Sequence, residues 1–304
     1  MAARLAAARL SDVLVIGGVF REVLDADSTP RRRYGGSGLT AAVAAAQLGA
    51  ATVLAGAVGA EDEEAVRALV AAADVTDALQ NVPGACGTFA FPTQQDERTP
   101  WPLYRPAEGR PSEAASVPPA TVILAFGIPD YDPVAEGWLS DAAPTATLIW
   151  DRQGWLSRAR DAAGVISLSP SRKIYLANIR EAAEEAGTAD DAAALECQPP
   201  VGFSDAVVKL GADGAAVVDG TTSHPAIARV PAFPVVVTTT IGAGDVFAGA
   251  IAAGLAVGRT LAEAGQLGCA AAAVAIESGD NLLDATAVAR VRELVEERAA
   301  LSDT

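Results

Sequence analysis

Short apolar runs alternate with helix-forming stretches along most of this chain, and that rhythm restricts its fold more than any other feature. Val13-Leu14-Val15-Ile16 reads as a buried strand ending in Gly17-Gly18. Further strands are expected at Thr52 to Ala57, Thr121 to Phe126, Thr147 to Trp150, Val165 to Leu168, Ile174 to Leu176, Ala206 to Leu210 and Ala215 to Val218. Helices are expected at Leu39 to Leu48, Glu61 to Ala72, Ala243 to Ala256, Leu261 to Glu277 and Asp284 to Ala300. Strands alternating with helices imply an α/β fold with a mostly parallel sheet covered on both faces. Ligands bind such sheets outside the carboxyl ends of the strands. Two glycine clusters, Gly35-Gly36 and Gly242 to Gly244, are expected at such ends. The segment Thr88 to Tyr104 breaks the rhythm: it alternates Thr, Phe, charged residues and Pro, and reads as exposed antiparallel strands.

The tract Thr239-Thr240-Ile241-Gly242-Ala243-Gly244-Asp245 suggests phosphoryl chemistry. A Val- and Thr-rich strand, Val235 to Thr240, is expected to stop at a glycine turn, where a small-residue helix begins. The first N–H groups of that helix have no intrahelical partner and lie at the positive end of its dipole, so they favour an anion. Asp245 falls in the first helical turn, where a carboxylate can accept the proton of a substrate hydroxyl. An ordinary loop-to-helix junction shows the same residues, because the dipole favours Asp there.

Charge excludes some partners. The 304 residues carry a net charge of −16, which argues against nucleic acid and against acidic membranes. The apolar runs Ala41 to Ala46 and Ala270 to Ile276 are too short for a bilayer, which needs about 20 residues. Cys86, Cys197 and Cys269 show no metal-ligand spacing and read as reduced thiols of a cytoplasmic protein. Residues 1–10 lack the apolar core of a signal peptide. Ser112 to Pro119 reads as a loop. His224 is the only histidine, and there is no G-x-S-x-G tract, which argues against a Ser-His-Asp hydrolase.

Four motifs in one order resemble the ribokinase, or PfkB, family of sugar and nucleoside kinases. They are Gly35-Gly36 with Leu48-Gly49 and Gly56-Ala57-Val58-Gly59 before Glu61-Asp62; Asn178-Ile179-Arg180-Glu181; Lys209 to Gly214; and Thr239 to Asp245. The resemblance spans nearly the whole chain. It implies a ribokinase-like three-layer α/β sandwich, a single domain over 1–304, with a small β lid from about 19–34 and 88–104. It implies Asp245 as catalytic base and an anion hole from the amides of Gly242, Ala243 and Gly244. Asn178 and Glu181 would organise Mg²⁺ through water. Lys209, Gly211 and Gly214, with the helix face Leu267 to Ala271, would border ATP. Glu22, Gly35, Gly36 and Thr40 would form the acceptor pocket, under the lid. A monovalent cation is a further expectation, near Glu277 to Asn281. The lid is a candidate homodimer contact, and the partner is a small-molecule hydroxyl acceptor.

The residues support part of this independently. Asn and Glu one turn apart point the same way and can share a hydrated cation. A helix cap with a solvent-facing Glu would use the same two residues. Asp151 follows a strand and so lies near the cleft, as a substrate contact or as a turn cap. Arg98 would reach the acceptor from the lid, or sit in a solvated turn. The chain departs from the family pattern at three places: Thr239 stands for the opening Asp of its signature, Thr40 for an Asn, and Glu22 for an Asp after the first strand. The departures at Thr239 and Thr40 motivate a second reading, a non-catalytic ligand-binding relative. A nicotinamide oxidoreductase is a third, but Gly17-Gly18-Val19-Phe20 is not a G-x-G-x-x-G turn.

Overall fold

Alternate residues of the first strand, β1 (Ser11–Ile16), serve two different cores. Val13 and Val15 face one helical layer, whereas Leu14 and Ile16 face the other side. Both faces are apolar, so the period of two is invisible in the sequence and the strand reads as a continuous run. The computed structural model of the protein describes residues 11–25, 28–92, 103–109, 119–127, 144–153, 167–188, 199–220 and 227–302, with Leu139 and Val165. Residues 1–10, residues 93–102 of the expected lid including Arg98, residues 112–118, Cys197 and His224 lie outside the described residues.

Beside β1 lie β4 (Thr52–Gly59) and β5 (Thr76–Val82) on one side. On the other lie β8 (Ala120–Phe126), β9 (Thr147–Asp151), β10 (Arg172–Asn178) and β11 (Asp205–Lys209). All of these pair in parallel. β12 (Ala215–Val218) and β13 (Ile227–Val230) close one edge as antiparallel strands, giving a nine-stranded sheet ordered β13-β12-β11-β10-β9-β8-β1-β4-β5. The chain order reverses between β1 and β8, which marks the crevice where such sheets bind ligands.

The helices are α1 (Ser37–Gln47), α2 (Glu63–Ala72), α3 (Ile179–Ala186), α4 (Ala243–Ala256), α5 (Leu261–Ser278) and α6 (Ala285–Ser302). α1 and α4 are built almost wholly of small apolar residues, which lets their backbones approach. A Cβ on Gly249 would stand 2.2 Å from the Ala41 carbonyl oxygen. The Leu267 to Ala271 face of α5 is buried in this core.

Two strand expectations are overturned. Val165 to Leu168 is no strand: Leu168 N–H donates to the Val165 carbonyl in a turn, and the strand begins only at Arg172. Val235 to Thr240 joins no sheet either. Thr238 and Thr239 donate to the Ile276 carbonyl at the end of α5, and Val236 and Val237 are 77% and 63% exposed. Neither glycine cluster therefore follows a strand of the large sheet: Gly35 ends the strand Arg31–Gly35 of a second sheet, and Gly242 follows this irregular stretch.

That second sheet has four strands, β2 (Phe20–Leu24), β3 (Arg31–Gly35), β6 (Thr88–Phe91) and β7 (Leu103–Arg105), ordered β3-β2-β6-β7. It is mixed, with β2 and β6 parallel. Phe20, Phe89 and Tyr104 pack edge-on and tilted against one another and join it to the core. Asp62, buried before α2, ties the two sheets polarly. It accepts from Arg21 Nε at 2.8 Å, Tyr34 Oη at 2.7 Å and the Cys86 N–H at 2.8 Å. Burial opposes its charge, but these donors outweigh it and hold the Asp62 pKa below the ordinary range. Its stabilisation is therefore present above the ordinary carboxylate pKa and lost as pH falls through the lowered one. Asp62→Ala strands a buried N–H and a half-buried phenol, and it should cost about 3 kcal/mol. A melting temperature unchanged at neutral pH would contradict this role.

Candidate active site

The α4 helix starts at Gly242, whose φ of +83° is a left-handed conformation that suits glycine. No side chain caps this end. Ala243 N–H donates to the Thr240 carbonyl at 3.2 Å and Asp245 N–H to the Gly242 carbonyl at 3.0 Å. Among the described residues the N–H groups of Gly242 and Gly244 have no such partner. Two of the three expected amides are thus open to a ligand. Thr239 stands where the family has Asp, and its hydroxyl accepts from Ile241 N–H at 3.2 Å, so it still folds the loop.

Asp245 lies in the first turn, partly reachable from solvent but hemmed in by protein. Gln153 Nε2 donates to its Oδ1 at 3.0 Å. Burial and the Asp151 carboxylate push the Asp245 pKa up to about 7, against the pull of Lys209 and the Gln153 hydrogen bond. Lys209 Nζ, at the end of β11, donates to Asp151 Oδ2 at 2.8 Å. Its ammonium also lies against the α4 start, 3.6 Å from where a Gly244 Cβ would be. Burial opposes its charge, but Asp151 and Glu181 raise its pKa and keep it charged. Asp151 is fully buried, and its Oδ1 accepts from Gln153 N–H at 3.3 Å. The hydrogen-bond partners of its carboxylate among the described residues are Lys209 and Gln153. Gln153 itself has a φ of +54°, a strained position for a side-chain-bearing residue and one often found at functional sites.

Asn178 and Glu181 form a reciprocal capping box on α3. Asn178 Oδ1 accepts from Glu181 N–H at 2.9 Å, and Glu181 Oε2 from Asn178 N–H at 2.8 Å. The carboxylate is buried, not solvent-facing, and burial raises its pKa against the pull of Lys209. Mg²⁺ keeps most of its waters and takes one or two carboxylates beside phosphates. Glu181, with one oxygen outside the capping box, fits that demand. Asn178 fits less well, because its side-chain oxygen is already engaged. Among the described residues no three acidic, Cys or His groups cluster to cage a metal. Gly211 and Gly214 form the tight turn after Lys209, where Leu210 N–H donates to the Gly214 carbonyl at 2.8 Å.

The expected acceptor residues also converge. Glu22 lies against Gly35 and accepts from Gly36 N–H at 3.1 Å. Its other oxygen accepts from Arg33 Nε at 2.7 Å and from Asn281 Nδ2 at 3.5 Å. Asn281 Nδ2 also donates to the Thr40 hydroxyl at 3.1 Å. Asn281 is 1% exposed, and its Oδ1 is buried with no partner among the described residues. Asn281 packs on Gly242, and the Glu22 charge reaches Asp245, so the acceptor and base clusters adjoin. Arg33, Gln153 and Asn281 belong to none of the four motifs. Gln153 was signalled only by its place after a strand, and Asn281 only as the end of the Glu277 to Asn281 stretch expected near a cation.

Residues 139–284 match the pfkB family of carbohydrate kinases. The resemblance to the ribokinase/PfkB family read from the sequence holds, and solved structures agree on the fold. The ribokinase of Cryptococcus neoformans var. grubii serotype A, in complex with ADP, superposes with a TM-score of 0.73 at 23% identity, over 92% of this chain and 99% of that one. The adenosine kinase of Sinorhizobium meliloti gives 0.75 at 20% identity, over 93% and 99%. The aminoimidazole riboside kinase of Salmonella enterica, complexed with aminoimidazole riboside and an ATP analog, gives 0.73 at 19%, over 93% and 99%. No curated protein matches the chain. Among the described residues no helix is long and apolar enough to cross a membrane.

Proposed function

We propose that the protein is an ATP-dependent kinase that phosphorylates a hydroxyl of a small sugar, polyol or nucleoside. The observation that carries this reading is Asp245: a carboxylate whose pKa of about 7 suits a base, one turn from two unpartnered amides at a helix start. Asp245 takes the proton of the acceptor hydroxyl as its oxygen attacks the γ-phosphorus. The new O–P bond forms, the bond to the β-phosphate oxygen breaks, and ADP leaves. The N–H groups of Gly242 and Gly244 and the Lys209 ammonium face the charge on the moving group. Mg²⁺ bound with ATP would neutralise phosphate charge, held on the protein side by Glu181 through water.

On the acceptor side, Gly35, Gly36, Glu22 and Thr40 shape the pocket, and Asn281 Nδ2 fixes the Glu22 carboxylate and the Thr40 hydroxyl. The small sheet then acts as a lid that excludes water. The test is an ADP-release assay with Mg-ATP across sugars, polyols and nucleosides. Acceptor-dependent release supports the kinase. ATP binding with no release on any acceptor would favour the non-catalytic relative. The base also fixes a pH dependence: only ionised Asp245 accepts a proton, so kcat/KM should rise about tenfold per unit below pH 7 and level above it. A flat profile from pH 5 to 8 would remove Asp245 from the role.

A further inference from the structure

Three carbonyls of the Glu277 to Asn281 stretch, where a monovalent cation was expected, are already served by protein donors. Thr238 Oγ1 donates to the Glu277 carbonyl at 2.9 Å, and Ser278 Oγ to that of Asp280 at 3.4 Å. The Gly279 carbonyl accepts from Arg33 Nη1 at 3.3 Å. Across the loop the Ile241 carbonyl, directly before Gly242, accepts from Arg33 Nη2 at 3.5 Å. One guanidinium thus bridges both loops, and the buried Glu22 anchors it from behind at 2.7 Å. A metal ion bound to the same two oxygens would sit against a fixed positive charge. Arg31, Arg32 and Arg33 together line a cavity of about 430 Å³ beside Gly279, Asp280 and Leu282, with only the Asp280 carboxylate among its lining residues. A monovalent ion sheds water for converging carbonyl oxygens, and these residues do not fit one.

We propose that Arg33 is the fixed cation of this site: it holds the Ile241 and Gly279 carbonyls in place of a monovalent metal ion and positions the Gly242 loop for phosphoryl transfer. Arg33 is a positioning residue. It acts through Ile241 on the amide of Gly242, and through Glu22 on Gly36 of the acceptor pocket. The inference rests on the kinase reading for its catalytic part only; the cation part stands on the geometry.

The test compares equimolar KCl, NaCl and choline chloride. A bound ion makes the melting temperature depend on its concentration, so the wild type should melt at one temperature in all three salts. Its turnover should agree within about twofold, whereas a displaced catalytic loop costs on the order of tenfold to a hundredfold. Arg33→Ala should lose about that much in kcat, and KCl should restore part of it where choline chloride does not. A wild-type melting temperature or turnover that rises in KCl overturns the proposal. So does an Arg33→Ala protein that keeps full turnover, or one equally slow in every salt, as a merely structural residue would leave it. The wild-type comparison needs no variant and decides alone if Arg33→Ala does not fold. Because the melting comparison involves no acceptor, it still reads the cation claim if no acceptor releases ADP.

Discussion

Asp245→Asn keeps Mg-ATP binding and loses about 10²–10⁴-fold in kcat, the range expected when a positioned base is removed. The amide preserves size and can still accept from Gln153 Nε2, so the α4 start stays as it is. A second readout separates this from simple damage. The folded pKa of Asp245, about 7, lies above the ordinary carboxylate value of 3.8. Its stabilising share is therefore present below pH 3.8 and lost as pH rises to 7, where burying the ionised carboxylate carries a cost. The Asn variant escapes that cost. It should melt a few degrees higher than the wild type at pH 8, with the gap closing as pH falls towards 4. Turnover within about threefold of wild type would remove Asp245 from the chemistry, since a true base contributes far more.

Lys209→Met is the second large effect. Lys209 is the counter-ion of a fully buried carboxylate, Asp151, and the positive charge beside Gly244. Removing one partner of a buried pair costs about 3–5 kcal/mol, because the other charge is left unpaired. It also removes the charge that lowers the Asp245 pKa. The rising limb of the pH profile should then move above 7, and kcat at pH 7 should fall about a hundredfold from both losses. A limb that stays at 7 with an unchanged melting temperature would mean that Lys209 is coupled to neither group.

The sheet and its helices were legible where burial is two-sided. α4 runs from Ala243 to Ala256 and β12 from Ala215 to Val218, as their apolar runs suggest. β5 was not legible: it is an edge strand carrying Thr76, Asp77, Gln80 and Asn81, and has no apolar run to mark it. Val235 to Thr240 misled for the opposite reason. Its β-branched residues suit a strand, but the sheet edge is already closed by β13, and the Thr238 and Thr239 amides find the end of α5 instead.

The site divides in the same way. Asp245 with its glycines, and Asn178 with Glu181, are local arrangements, so spacing along one helix start reveals them. The Arg33–Glu22–Asn281–Thr40 network joins β3, β2, the loop after α5 and α1. No local pattern encodes such contacts, because each partner is chosen by the fold. Asp151 shows the limit from the other side. It is the last residue of β9, one position from where the sequence puts it, but its complete burial beneath Lys209 is a tertiary fact.

The central claim is transfer of a phosphoryl group to a hydroxyl, and phosphorus NMR of the reaction mixture tests it most directly. With Mg-ATP and an acceptor that elicits ADP, the account predicts a phosphomonoester signal that grows in step with ADP. ADP accompanied by inorganic phosphate alone would mean that water is the acceptor, and would contradict it.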